Sequence, residues 1–72
     1  MTNSYQIQHN AGDIRIEHLG QIYAEDELSE AIWLVNIELR AGLPKRERIE
    51  AEQQITQFQT LLDALQEARA GA

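Results

Sequence analysis

The chain has 72 residues, no cysteine and a formal net charge of −6 at pH 7. A chain of this length forms one small domain, and without disulfides or cysteine-based metal sites its core supplies only about 3–5 kcal/mol of stability. Self-association or binding to a partner is therefore a physical expectation, while the negative charge argues against nucleic acid as that partner.

The sequence lacks the features of membrane and secreted proteins. It has no run of about 18 apolar residues, and its first ten residues have neither the basic nor the long apolar segment of a signal peptide. The lack of cysteine suits a reducing compartment. We therefore expect a cytoplasmic protein that spans no membrane and carries no cofactor.

A β-hairpin is predicted at the N-terminal end, because apolar and polar side chains alternate on both sides of Ala11-Gly12. Pairing residues whose numbers add to 23 places Tyr5 opposite His18 and Ile7 opposite Ile16 on one face. A lone two-stranded hairpin is unstable in water, so this face must cover another apolar surface. We expect it to lie on the spare face of the helix that follows.

The hairpin and its connector occupy residues 4–23, and the connector has two interpretations. Residues 19–23 either prolong the second strand through a bend at Gly20 or form a short third segment. The two histidines, His9 and His18, lie on one predicted face but at opposite ends of the hairpin. They are therefore too far apart to share a metal, and no metal site is predicted.

The first helix is predicted over residues 24–41. Three consecutive acids at 25–27 fill its first turn, where negative charge offsets the exposed amide groups, and Gly42 can take the left-handed conformation that ends a helix. A helix in a monomeric hairpin needs one apolar stripe, but this helix has two and should be covered on both sides. One stripe consists of Leu28, Ile32, Val35 and Leu39, and the nearly opposite one of Trp33, Leu34 and Ile37.

The second helix is predicted over residues 44–69, with Pro44 in its first turn. Folding it back on the first helix about Gly42 pairs residues whose numbers add to about 86, and the apolar seams of the two helices then meet. The second helix overhangs the first by about two turns. The leucines of this overhang need cover from the β-hairpin or from another subunit; they are Leu61, Leu62 and Leu65.

The predicted fold class is α+β: an N-terminal β-hairpin followed by an antiparallel αα-hairpin (ββαα), helices dominant, in a single domain over residues 1–72. One β-hairpin does not cover all the apolar surface, so we expect a homodimer that associates through its helices, with four helices packed at its centre. Candidate interface residues are Leu61, Leu62 and Leu65. Which apolar face of the first helix forms the interface stays open.

Two surfaces are candidates for binding other molecules. Tryptophan is enriched at binding hot spots, so a protein-binding face is predicted on the first helix, unless the β-hairpin simply covers it. This face consists of Trp33, Leu34 and Ile37 with the flanking acids Glu30 and Glu38.

The second candidate surface is the basic turn, which we define as Lys45, Arg46 and Arg48. Cations at a helix start oppose the helix dipole. Either the neighbouring end of the first helix and nearby glutamates, Glu50 and Glu52, compensate them, or they form an anion site. Charge is uneven along the chain: residues 17–38 hold six acids and no Lys or Arg, whereas residues 40–48 hold four basic residues.

No nucleophile lies near a base in a plausible site, so an enzyme is not predicted. We expect a small non-enzymatic, homo-oligomeric protein-binding module that acts as an inhibitor, adaptor or regulatory subunit, a type common among bacterial and phage accessory proteins. The first alternative is sequestration of a phosphate-bearing small ligand or nucleotide by basic turns that converge at an oligomer interface. The second is an acidic DNA mimic, although three of the six acids fit helix capping better.

Overall fold

The computed structural model describes residues 5–71 of the chain. Three β-strands precede two helices: β1 (Tyr5–Asn10), β2 (Asp13–His18), β3 (Gln21–Tyr23), α1 (Glu25–Ala41) and α2 (Lys45–Ala70). The predicted α+β class is confirmed, with an N-terminal β-hairpin, a helical pair and helices dominant. The helix bounds differ from the predicted ones by one residue, and residue 4, where the predicted hairpin segment begins, lies outside the described residues.

The strands form one antiparallel sheet in the order β1-β2-β3. The predicted register of β1 on β2 is confirmed, with Tyr5 opposite His18 and Ile7 opposite Ile16. The connector that the sequence left open forms a short third strand, in which Tyr23 also pairs with Ile16. Ile16 is therefore flanked on both sides by paired strands, and it is fully buried.

Both turns of the sheet use two residues with positive φ. The φ angles are 52° and 84° at Ala11 and Gly12, and 52° and 81° at Leu19 and Gly20. Two successive positive φ angles are typical of the type I′ turn, whose backbone twist matches that of the strands it joins. Glycine adopts these angles without steric cost, whereas leucine does so only with strain.

We expect Leu19→Asn to raise the free energy of unfolding by about 0.5–1 kcal/mol, because asparagine tolerates the left-handed conformation better than leucine. Leu19 is 75% exposed, so little apolar burial is lost. Urea denaturation followed by circular dichroism measures the change. Leu19→Ala is the matched control, since it removes the same apolar surface without favouring positive φ, and equal stability of the two variants would contradict the backbone explanation.

The sheet packs on the C-terminal half of α2, where the main hydrophobic core lies. The rings of Tyr23 and Phe58 meet edge to face, with centroids 6.1 Å apart. Partly buried apolar residues from all three strands and both helices surround the centre of the core. The buried residues of this cluster are Ile16, Leu28, Leu61, Leu62 and Leu65.

The expectation that the β-hairpin covers the spare face of α1 is wrong. Ala24 alone separates β3 from α1, so the sheet is held at the N-terminal end of α1. In an antiparallel helical pair that end lies beside the C-terminal overhang of α2. The sheet therefore binds the apolar overhang and leaves the outer side of α1 uncovered.

The three leucines of the overhang belong to this intramolecular core. Leu61, Leu62 and Leu65 are 2%, 8% and 1% exposed within a single chain. Of the two covers considered from the sequence, the β-sheet is the one observed. Almost none of their surface is left for a second subunit.

The acids of the first turn of α1 satisfy backbone groups at the helix start. A carboxylate oxygen of Glu27 accepts a hydrogen bond from the Ala24 backbone N–H at 2.7 Å, and Asp26 accepts one from the Glu27 N–H at 3.0 Å. Ala24 has no side-chain acceptor of its own, so Glu27 provides this half of a capping box.

The other end of α1 is closed by Gly42, whose N–H donates to the Leu39 carbonyl at 3.2 Å. Its φ of 96° is positive, as predicted, but its ψ of 114° lies outside the left-handed helical region. Pro44 precedes α2 and its carbonyl accepts a hydrogen bond from the Arg48 N–H at 2.9 Å.

Neither α1 nor α2 is apolar enough over a sufficient length to cross a bilayer, within the described residues.

Candidate protein-interaction face

The side of α1 that faces away from α2 carries three exposed apolar side chains. Trp33, Leu34 and Ile37 are 61%, 49% and 42% exposed. On the opposite side of the same helix, Leu28 and Val35 are buried. The two predicted stripes of α1 therefore have different surroundings: one packs in the protein interior and the other is open to solvent.

A line of exposed residues along α1, which we call the outer stripe, runs through this open side. Its spacing of four, three, four and three is that of a coiled-coil seam. Acids occupy its N-terminal end, apolar residues its middle and a cation its C-terminal end. The outer stripe consists of Asp26, Glu30, Trp33, Ile37 and Arg40.

The charges of the outer stripe have no partner near its middle. The side chains of Glu30 and Arg40 are exposed and form no hydrogen bond or ion pair with any residue in the described range 5–71. Glu38, which the sequence also assigned to this surface, is exposed but lies on the flank of α1, away from the outer stripe. Leu34 lies beside Trp33 and widens the apolar middle.

The acids nearest the start of α1 are used within the fold. A carboxylate oxygen of Glu25 is ion-paired with Arg69, and its other oxygen accepts a hydrogen bond from Gln66 at 3.2 Å. Both contacts join the first turn of α1 to the end of α2. On the sheet, Glu17 accepts a hydrogen bond from Gln8 at 3.0 Å.

The basic turn lies at the end of the helical pair opposite the sheet. Lys45, Arg46 and Arg48 are exposed, and none is ion-paired to a side chain of the described chain. The expected compensation by Glu50 and Glu52 is therefore not made through ion pairs. In one chain the basic turn presents positive charge at a single helix start.

A cleft of about 660 Å³ lies between the β1–β2 turn, the start of α1 and the end of α2. Its carboxylates already have partners: Arg15 donates to Asp13 at 2.8 Å, and Glu25 pairs with Arg69. The hydrogen bond and charge of Asp13 raise the pKa of the Arg15 guanidinium above its ordinary value. The cleft is lined by Gly12, Asp13, Ile14, Ala24, Glu25, Asp26, Ser29, Leu65 and Arg69.

The two histidines lie in different surroundings. The ring nitrogens of His18 are 3.1 and 3.3 Å from the Gln57 side-chain nitrogen on α2, whereas His9 is exposed at the far end of β1. Among residues 5–71, no three side chains of the His, Cys, Asp or Glu type are placed to hold a metal ion together.

Three exposed apolar residues were not singled out from the sequence: Leu19, Ile22 and Ile49. Leu19 lies in a turn, and Ile22 shares the outer face of the sheet with Glu17, its pairing partner. Ile49 lines a small groove of about 290 Å³ on α2. The helical wheel could have identified Ile49, because it falls nearly opposite Ala51 of the buried seam.

Comparison of the chain with protein families, curated proteins and solved structures gives no match.

Proposed function

We propose that the protein is a small non-enzymatic protein-binding module, an inhibitor, adaptor or regulatory subunit, that docks through the outer side of α1. The observation that supports this proposal is the exposure of Trp33 on a regular helix, next to Leu34 and Ile37. The hydrophobic core is formed by other residues, so folding does not require these three side chains to be covered. Contiguous exposed apolar surface of this kind marks sites of protein interaction.

Burial of the Trp33 side chain on docking would contribute a large free energy for a single residue. A tryptophan buries about 150–250 Å² when covered. Since Trp33 is 61% exposed, roughly 100 Å² remains to be buried, which contributes about 2–3 kcal/mol on docking. Trp33 stands on a helix, so docking orders little backbone and less of this gain is lost to entropy.

The charges around the apolar middle favour one kind of partner and one orientation of docking. Glu30 and Glu38 are exposed, and neither is paired with another described residue. Exposed charges at the rim of an interface steer association and fix orientation more than they add affinity. A partner with cations opposite these acids is therefore favoured over one with an acidic surface.

Capture experiments with a Trp33→Ala, Ile37→Ala double variant test the proposed surface. We expect the tagged protein to capture another protein in a stoichiometric amount, and this capture should survive nuclease treatment. An untagged copy of the same chain counts as such a protein. The double variant should no longer capture it. Both substituted side chains are exposed, so the helical circular dichroism signal should be unchanged.

The matched control for this capture is Ile22→Ala, Ile49→Ala, which removes two exposed apolar side chains elsewhere on the protein. We expect it to behave as the unaltered chain. Undiminished capture by the Trp33 variant, or capture lost equally in the control, would contradict a docking function for the outer side of α1.

The two alternative functions have less support from the described residues. Anion sequestration needs basic turns that converge, whereas one chain presents a single helix start with Lys45, Arg46 and Arg48. A DNA mimic needs free acids on one face, but Glu25 is paired with Arg69 and Glu27 caps α1.

A further inference from the structure

We propose that the partner seated on the outer stripe is a second copy of this chain, with the two α1 helices packed antiparallel. The two-fold axis of this dimer passes level with Val35. Residues whose numbers add to 70 then share a layer, so that Trp33 meets the partner's Ile37. This inference rests on the proposed function, because both use the same face of α1.

The charges of the outer stripe support the antiparallel orientation. A coiled-coil seam alternates between two heptad positions, a and d. The spacing of the stripe assigns Glu30 and Ile37 to one of these positions, and Trp33 and Arg40 to the other. In an antiparallel pair each layer combines one position from one helix with the other position from its partner. Glu30 therefore shares a layer with the partner's Arg40. Two such pairs of opposite charge, related by the axis, flank the apolar centre.

A parallel arrangement of the same helices would be repelled by these charges. It would place Glu30 beside a second Glu30 and Arg40 beside a second Arg40. Like charges at neighbouring positions cost free energy, and this cost falls on the parallel arrangement alone. The outer stripe is thus complementary to itself in one orientation only.

The same geometry fixes where the two basic turns lie. Each basic turn begins α2, which packs on the side of α1 opposite the outer stripe. Lys45, Arg46 and Arg48 are therefore directed away from the partner's α1. The basic turns lie at opposite ends of such a dimer, so they do not converge on one small anion.

The fold leaves room for this contact. The sheet packs on α2 and does not cover Trp33, Leu34 or Ile37, and the dimer would hold two α1 helices at its centre with an α2 helix on each outer side. The α1 helix is about 25 Å long, so the contact belongs to the small class of interfaces. We expect a reversible dimer whose native mass depends on protein concentration.

Charge reversal tests the orientation directly. Native mass is measured by analytical ultracentrifugation over a concentration series for Glu30→Lys, Arg40→Glu and the double variant. Each single change should weaken the dimer about tenfold, because it alters two equivalent ion pairs at once. The double variant should restore the original dissociation constant, and an equimolar mixture of the two single variants should form a heterodimer.

Glu38→Lys is the matched control, since it makes the same change of charge on the same helix but off the outer stripe. A parallel dimer would be unaffected by either single reversal, and a dimer built on another surface would respond no more to Glu30→Lys than to Glu38→Lys. Either result overturns the proposal.

The proposed function fails separately from this inference. If the unaltered chain is monomeric throughout the series while its Trp33 surface still captures a different protein, the self-association is overturned and the docking function stands. A monomer that captures nothing overturns both.

Discussion

Leu65→Ala is expected to lower the free energy of unfolding by about 3 kcal/mol, as is usual for truncation of a fully buried leucine. Leu65 is 1% exposed and lies where the sheet meets the overhang of α2. A domain of this size has a total stability of only about 3–5 kcal/mol from its core. Most molecules of the variant should therefore be unfolded in mild urea, as measured by circular dichroism.

Leu34→Ala is the matched control, because it makes the same truncation at a side chain that is 49% exposed. We expect it to cost less than about 1 kcal/mol in unfolding free energy. Equal losses in the two variants would contradict the packing of the sheet on α2. A Leu65 variant that kept its stability but lost native mass would instead place this leucine in a subunit contact.

Trp33→Ala is expected to have its large effect on association and almost none on stability. One substitution removes both tryptophans from the centre of the dimer, and truncation of a single hot-spot residue commonly costs more than about 2 kcal/mol. The dissociation constant should rise at least about a hundredfold. Sedimentation equilibrium measures the mass, and urea denaturation at one low concentration measures the fold.

The comparison for Trp33→Ala is Ile49→Ala, which trims an apolar side chain of similar exposure on α2. This control should dimerise as the unaltered chain does. If the Trp33 variant associates normally, the outer stripe does not form the dimer contact, and another surface holds the two copies together.

The elements and their local pairing were predictable because they depend on short-range periodicity. The alternation around Ala11-Gly12 admits one register that keeps Ile7 and Ile16 on the same face, and this register is observed. The 3.6-residue period likewise identified the stripe of α1 that packs in the core, including Leu28 and Val35, although the prediction that both stripes are covered was wrong for a single chain. In both cases a shift of one residue would have mixed apolar and polar faces.

The position of the sheet was not predictable from periodicity, because periodicity identifies an apolar face without identifying what covers it. The sheet could have covered either the outer side of α1 or the overhang of α2. The one-residue connection through Ala24 holds the sheet near the overhang. The third strand was also left open, since leucine at position 19 is a poor indicator of a positive-φ turn. Because periodicity does not identify what covers a face, Trp33 was recognised as a candidate binding residue, but its exposure was not predicted.

The packing of the sheet on the far end of α2 has a consequence for synthesis of the chain. The sheet and α1 leave the ribosome before the leucines at 61, 62 and 65 do, although these leucines cover the apolar face of the sheet. Contacts such as the one between His18 and Gln57 therefore form late, between residues 39 positions apart in the chain. The nascent sheet has only part of its apolar cover, including Leu28 of α1, until the leucines of α2 emerge, and in that interval the newly made chain exposes apolar surface that favours aggregation.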